Sequence, residues 1–161
     1  MLPEVKKILY ASDIDKGSRP AFRAAVSLCA QYNSEITFLH VLEPLSASAQ
    51  TIVDTMVSDE SLHQLHDQSI ANVRKKLAQR VEHFCETELE ENEMLTEAQV
   101  NARVEEGVPW KTILSVADDI DADVIVMGTR THSAVGQFLM GSTANKVMQN
   151  SKRPVLVVPL L

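Results

Sequence analysis

Glu35-Ile36-Thr37-Phe38-Leu39-His40-Val41-Leu42 is nearly all apolar, and a strand of that character leaves no polar face for water. It must be covered on both sides, which is the situation of a strand in a parallel sheet with helices crossing each face. The residues before it agree. Lys7-Ile8-Leu9-Tyr10-Ala11 is a short β-like run ending at Ser12-Asp13. Asp15-Lys16-Gly17-Ser18-Arg19-Pro20 then carries helix-start chemistry, a Ser cap and a proline in the first turn. Phe22, Ala25, Val26 and Cys29 recur at helical spacing, and Asn33-Ser34 closes that helix. Two buried strands joined by a helix form a βαβ unit, whose crossover is almost always right-handed.

Downstream, the same alternation continues. Residues 43–57 read as a loop through Pro44-Leu45-Ser46-Ala47-Ser48, with Ile52, Val53, Met56 and Val57 spaced for one apolar helical turn. A connection of this length is usually functional, and a lid over a ligand is one role for it. A long helix follows, with Leu62, Leu65, Ser69, Val73, Leu77, Val81 and Phe84 on one stripe and an acidic stretch from Glu86 to Glu97 at its end. Gln99 to Val104 alternates as a strand does. Gly107 and Pro109 mark a turn and a helix start, with Trp110, Ile113, Leu114, Ala117 and Ile120 facing inward. Val124-Ile125-Val126-Met127 is another buried strand, and a helix at about 142–150 precedes the closing strand Pro154 to Pro159. The pattern predicts five strands and four helices in one domain spanning residues 1–161, with no repeat or linker dividing it.

Composition narrows the function classes. The chain has 161 residues, 45% of them hydrophobic, and a net charge of −7. That is enough chain and apolar content for a packed core. The acidity argues against a nucleic-acid binder, which needs a basic face. No apolar run approaches the roughly 18 residues that cross a bilayer, so no membrane role is expected. The start, Met1-Leu2-Pro3-Glu4-Val5-Lys6-Lys7, lacks the order of a secretion signal, and Cys29 and Cys85 form no disulfide framework. The expected compartment is the cytoplasm.

The chemistry concentrates in Met127-Gly128-Thr129-Arg130-Thr131-His132, continuing to Met140-Gly141-Ser142-Thr143. This stretch joins a buried strand to a helix, at the carboxyl edge of the sheet where ligands of open α/β folds bind. Glycine there lets a ligand approach the backbone. Ser142 is placed to cap the last helix, whose first-turn N–H groups and dipole attract phosphate. A plainer reading also stands: Gly128 ends a strand, and Gly141-Ser142 only stops one helix and caps the next. Gly136-x4-Gly141-Ser142-Thr143 copies a Walker A loop superficially, but Ser142 occupies the place of the phosphate-binding lysine. His63 and His66 sit i, i+3 on the long helix without companions at zinc spacing, so a solvated face is the better account. His132 is a candidate for proton transfer or phosphate contact.

Taken together, these residues resemble the universal stress protein family over nearly the whole chain. The matching features are Tyr10-Ala11-Ser12-Asp13, the His40-Val41 strand end, the strand Ala122-Asp123-Val124-Ile125-Val126-Met127-Gly128, the later Gly141-Ser142, and Arg153-Pro154-Val155-Leu156-Val157-Val158-Pro159. The resemblance implies a Rossmann-like fold related to adenine nucleotide α-hydrolases, a single open parallel sheet with strand order 3-2-1-4-5. It implies that ATP, or ADP or AMP, with Mg²⁺, is held by Ala11, Ser12, Asp13 and Val41 at the nucleoside. Met127, Gly128, Arg130, Gly141, Ser142 and Thr143 fall on the phosphate side. One departure is that Thr131 stands where the second glycine of the family's G-x-x-G-x9-G-[ST] pattern falls: a Cβ there crowds phosphate or demands an unfavourable backbone angle, whereas Arg130 and Thr131 also offer donors that a glycine lacks.

Three functions follow. One is a homodimeric regulatory protein of the stress response that holds an adenine nucleotide and couples its occupancy to an unidentified protein partner. Another is a dimeric signalling protein of the same fold without nucleotide, which Thr131 favours. The third is an enzyme, either a slow ATP hydrolase or a phosphoryl-transfer protein, ranked last because no water-activating carboxylate, metal cluster or loop lysine identifies itself. In each dimer, the strand Val155 to Val158 is the expected interface, an apolar edge bounded by Pro154 and Pro159.

Overall fold

The computed structural model describes residues 1–11, 19–44, 47–56, 59–91, 95–130 and 140–160. The strands are β1 (Lys7–Ala11), β2 (Glu35–Leu42), β3 (Val100–Glu106), β4 (Val124–Arg130) and β5 (Val155–Leu160). The helices are α1 (Arg19–Tyr32), α2 (Ala47–Met56), α3 (Asp59–Glu88), α4 (Pro109–Asp119) and α5 (Ser142–Asn150). The strands form one parallel sheet of order β3-β2-β1-β4-β5, as the resemblance implies.

The apolar runs explain the two-sided cover. Ile8, Tyr10, Ile36, Phe38 and Val126 face α1 and α3, packing on Phe22, Val26, Leu77 and Val81. Their neighbours Leu9, Leu39, Ile125 and Met127 face α4 and α5, packing on Ile113, Val116, Ala117, Ala144 and Val147. The chain steps outward from β1 to β3 with its helices on one face, then returns to β4 and β5 with its helices on the other. A constant crossover hand requires that switch.

Several boundaries differ from expectation. The segment read as loop with one apolar turn is the ten-residue helix α2, so the second crossover carries two helices where one was expected. Helix α3 spans 30 residues, about 45 Å at 1.5 Å per residue, far longer than the seven-residue strand it crosses. Its stripe is therefore covered only in part. Leu77 and Val81 are buried and Val73 and Phe84 half-buried, but Ser69 and Leu65 are exposed. The helix stops at Glu88, inside the acidic stretch. Strand β3 begins one residue later than read and runs on to Glu106, because Glu97–Gln99 is a short 3₁₀ turn whose Gln99 side chain accepts the Thr96 N–H.

The amino ends of the strands are tied by hydrogen bonds between turns. Asp123 accepts the backbone N–H of both Lys6 and Lys7 at 2.8 and 2.9 Å. Its own N–H donates to the Lys7 carbonyl, and the Glu35 N–H donates to the Lys6 carbonyl. Gln99 Nε2 donates to the Ser34 carbonyl at 3.0 Å, tying the 3₁₀ turn to the turn before β2. Asn33 and Asp121 take positive φ at the ends of α1 and α4, a conformation their short polar side chains tolerate. Cys29 and Cys85 are free thiols, and burial pushes both up from their ordinary pKa.

Candidate functional site

Among the described residues the carboxyl ends of the strands carry fewer such ties, and they border a cavity of about 230 Å³. It lies where the chain's direction across the sheet reverses, between the ends of β1 and β4, which pair Tyr10 with Val126 and Ala11 with Met127. That is the switch point at which open α/β sheets bind ligands.

Each wall follows from its local sequence. Strand β1 ends in Tyr10 and Ala11, and the small Ala11 keeps the floor low. Strand β2 contributes Leu39, Val41 and, just beyond its end, Glu43, alternate residues on one side of the strand. The start of α4 supplies Pro109 and Ile113. Pro109 occupies the first turn of that helix, where its missing N–H costs nothing. The turn before it depends on Gly107, whose φ of +154° disfavours any side chain and whose added Cβ would lie 2.5 Å from Thr112 Oγ1. The Gly107 N–H donates to the Leu42 carbonyl at 2.9 Å, holding the turn against the end of β2.

The remaining wall joins β4, β5 and α5. Met127 and Gly128 line it with Leu160 and Thr143. A Cβ on Gly128 would sit 2.6 Å from Leu160 Cδ1 and 2.9 Å from its Cγ, so this glycine makes room for a side chain from β5 as well as bordering the cavity. Helix α5 begins at Ser142, with Gly141 as its N-cap and no side-chain cap. The expectation that Ser142 caps this helix is therefore corrected: Ser142 is already helical, so its side chain is past the capping position. In its place Thr129, 3% exposed, holds the helix start, its Oγ1 accepting the Gly141 N–H at 2.8 Å. The first intrahelical bond is made by Asn145 to the Gly141 carbonyl, so helix geometry gives the N–H groups of Ser142, Thr143 and Ala144 no intrahelical partner, and Thr143 lines the cavity.

The structure thus gathers Ala11, Val41, Met127, Gly128 and Thr143 around one cavity. Gly141 and Ser142 adjoin it at the start of α5, and Arg130 lies exposed at the end of β4, off the cavity wall. Ser12, Asp13, Thr131 and His132 lie outside the described residues. Sequence reasoning missed Glu43, Pro109, Ile113 and Leu160. Glu43 was legible from the period of two that begins at Leu39 and Val41, whereas Leu160 depends on the β4–β5 pairing. His66 pairs with Glu106 at 2.8 Å, and no group of three or more metal-ligating side chains gathers among the described residues. Among the described residues no helix is long and apolar enough to cross a membrane.

A larger hollow of about 650 Å³ lies on the outer side of α1 and α3, but Glu88 there is already paired with Arg19 and Arg23. The smaller cavity has the better claim, because the starts of α4 and α5 and the ends of β1, β2 and β4 converge on it.

Comparison with known proteins agrees with the fold. The family model described as the universal stress protein family matches residues 4–159. Universal stress protein MJ0577 of Methanocaldococcus jannaschii is similar in sequence, 25% identical over 153 residues that cover 95% of this chain and 94% of the relative. The solved structure of MJ0577 superposes with a TM-score of 0.69 at 22% identity, covering 96% of each chain. A universal stress protein in complex with cAMP superposes at 0.59, with 16% identity over 98% of this chain and 99% of that one. One from Archaeoglobus fulgidus in complex with dAMP superposes at 0.51, with 15% identity and the same coverage.

Proposed function

The chain belongs to the universal stress protein family, and from that premise we propose that it binds an adenine nucleotide, ATP or its di- or monophosphate, in the cavity between β1, β2 and β4. The observation that carries this reading is the convergence of a small cavity, part apolar and part polar, with the first turn of α5. Apolar walls from Leu39, Val41, Ile113 and Met127 suit the flat faces of a base, and a helix start suits a phosphate. Solved relatives in complex with cAMP and with dAMP support an adenine ligand in this fold. In this reading the backbone at Val41 reads the adenine edge, and Asp13 accepts the ribose hydroxyls. The N–H groups and side chains of Ser142 and Thr143 meet the phosphates, and Mg²⁺ bound with the nucleotide would offset their charge. Titration calorimetry with ATP and Mg²⁺ is expected to give a dissociation constant on the order of micromolar. No heat and no thermal shift at millimolar ATP defeats the proposal.

Two copies pair through β5 in the same proposal. This strand lies at the sheet edge, and Leu156 is 39% exposed there. Antiparallel pairing about a two-fold axis closes both edges in one contact. Val157→Pro then turns a dimer into a monomer by light scattering. A wild-type mass of one chain at tens of micromolar overturns the interface.

Thr131 supports a second reading, a dimeric interaction protein with an empty cavity, since it replaces a glycine of the family pattern. Small molecules released on denaturing the purified protein separate the two. Stoichiometric adenine nucleotide supports the first, and none supports the second.

A further inference from the structure

We propose that Glu43 reads the base, its carboxylate accepting a hydrogen bond from the exocyclic amino group of adenine; this inference rests on the adenine-nucleotide reading above. Leu39, Val41 and Glu43 stand at i, i+2 and i+4 along β2 and its extension, and all three line the cavity. Leu39 is buried, Val41 half-buried and Glu43 exposed, so the row leads from the floor of the cavity to its mouth. Glu43 is the one charged side chain among the described residues of the wall.

The opposite wall has the opposite character. Gly128 and Thr143 border the start of α5, where the helix dipole is positive and N–H groups point outward. A carboxylate repels phosphate, and a helix start attracts it. The two poles therefore orient a nucleotide, phosphates toward α5 and base toward β2. A carboxylate only accepts hydrogen bonds, so it rewards a donor at the edge of the base. Adenine offers its amino group. Purine riboside, identical but for that group, offers no donor there.

The test crosses two ligands with two proteins: ATP and purine riboside triphosphate, each titrated into wild type and Glu43→Ala. Circular dichroism checks that the variant is folded. Wild type prefers ATP by about tenfold, the size expected when a hydrogen bond to a charged acceptor is lost. In Glu43→Ala the preference shrinks by at least about threefold, because this acceptor is gone and only the share read by the Val41 backbone remains. Equal weakening of both ligands by Glu43→Ala puts the carboxylate on a group they share and overturns the inference. An undiminished preference in the variant overturns it too, leaving discrimination to the β2 backbone. GTP supplies a further arm. Tighter binding of GTP than ATP, lost in Glu43→Ala, shows the carboxylate holding the N1–H and amino pair of guanine instead. If wild type binds none of these nucleotides, the underlying reading has failed. If it binds ATP and the cycle shows no coupling, only the role of Glu43 has failed.

Discussion

The two ends of this sheet are made from the same five strands and are built in opposite ways. At the amino ends, backbone groups leaving one strand find partners in the turn before the next, through Asp123, the Lys6 and Lys7 carbonyls, and Gln99. Arg153 adds a bond to the Asp118 carboxylate, which holds its guanidinium above the ordinary pKa. At the carboxyl ends the ties among the described residues are sparse, chiefly Gly107 to Leu42 and Gly141 to Thr129. What stands there instead is a cavity bordered by a glycine and by helix starts. The division follows from parallel topology, since every crossover helix must start near one end of the sheet and finish near the other. Helix starts bring unpaired donors to the carboxyl end. The amino end has no such donors to offer and is free to be closed. The backbone ties gather at one end and the proposed ligand site lies at the other, so substitutions at the two ends are expected to have separable effects.

The largest effect is expected at Gly128. Valine there brings a Cβ against Leu160 and narrows the cavity from the β4 side. Overpacking of this kind costs about 1–3 kcal/mol, read from urea unfolding. ATP affinity falls at least about tenfold, or 1.4 kcal/mol. Adding Leu160→Ala removes the opposing atoms, and the double variant is more stable than the two single costs predict, by about 1 kcal/mol. Strict additivity would mean that Leu160 moves aside freely and that the glycine is there for the ligand alone.

Asp123→Ala probes the closed end. It removes the acceptor of two backbone N–H groups and costs about 2 kcal/mol of unfolding free energy, less than two buried charged bonds because Lys6 and Lys7 are exposed. Its effect on ATP affinity stays within about twofold, because the site is at the far end of the sheet. A large loss of affinity at unchanged fold breaks the comparison between the two ends.

How much of this was legible in the sequence follows the same division. The apolar runs Ile36 to Leu42 and Val124 to Met127 require burial on both faces, and that alone selects a parallel sheet with helices on each side. The helix faces of α1 and α4 were readable because Phe22, Val26, Ile113 and Ala117 repeat at helical period and meet the sheet directly. Helix α3 was misread in its first turns because an apolar residue such as Leu65 signals a helix face without showing how far the sheet extends beneath it. Of the cavity wall, Gly128 was legible as a glycine where a buried strand ends, and Ala11 and Val41 were reached only through the family resemblance. Leu160 and Thr129 were not: their roles arise from a strand pairing and a tether that have no local signature.

Thr129 supplies the smallest and most discriminating test. It is buried at the end of β4, and its hydroxyl accepts the N–H of the residue that caps α5. Without that acceptor the Gly141 N–H is left without its tie, and the helix start is free to shift from the cavity. Thr129→Val keeps the shape and deletes the acceptor, with an expected cost of about 1 kcal/mol, the ordinary net worth of one such bond. ATP affinity falls by about threefold to fivefold, because the donors of α5 lose their fixed position but not their number. Thr129→Ser keeps the hydroxyl and loses only a methyl group, so its affinity matches wild type even if its stability drops slightly. That ordering separates a tether from mere packing. Packing alone would make serine, with the smaller volume, worse than valine for binding as well as for stability. If valine binds ATP as wild type does, the start of α5 is held by its contacts with α4 and the sheet, and Thr129 is not what sets the crevice.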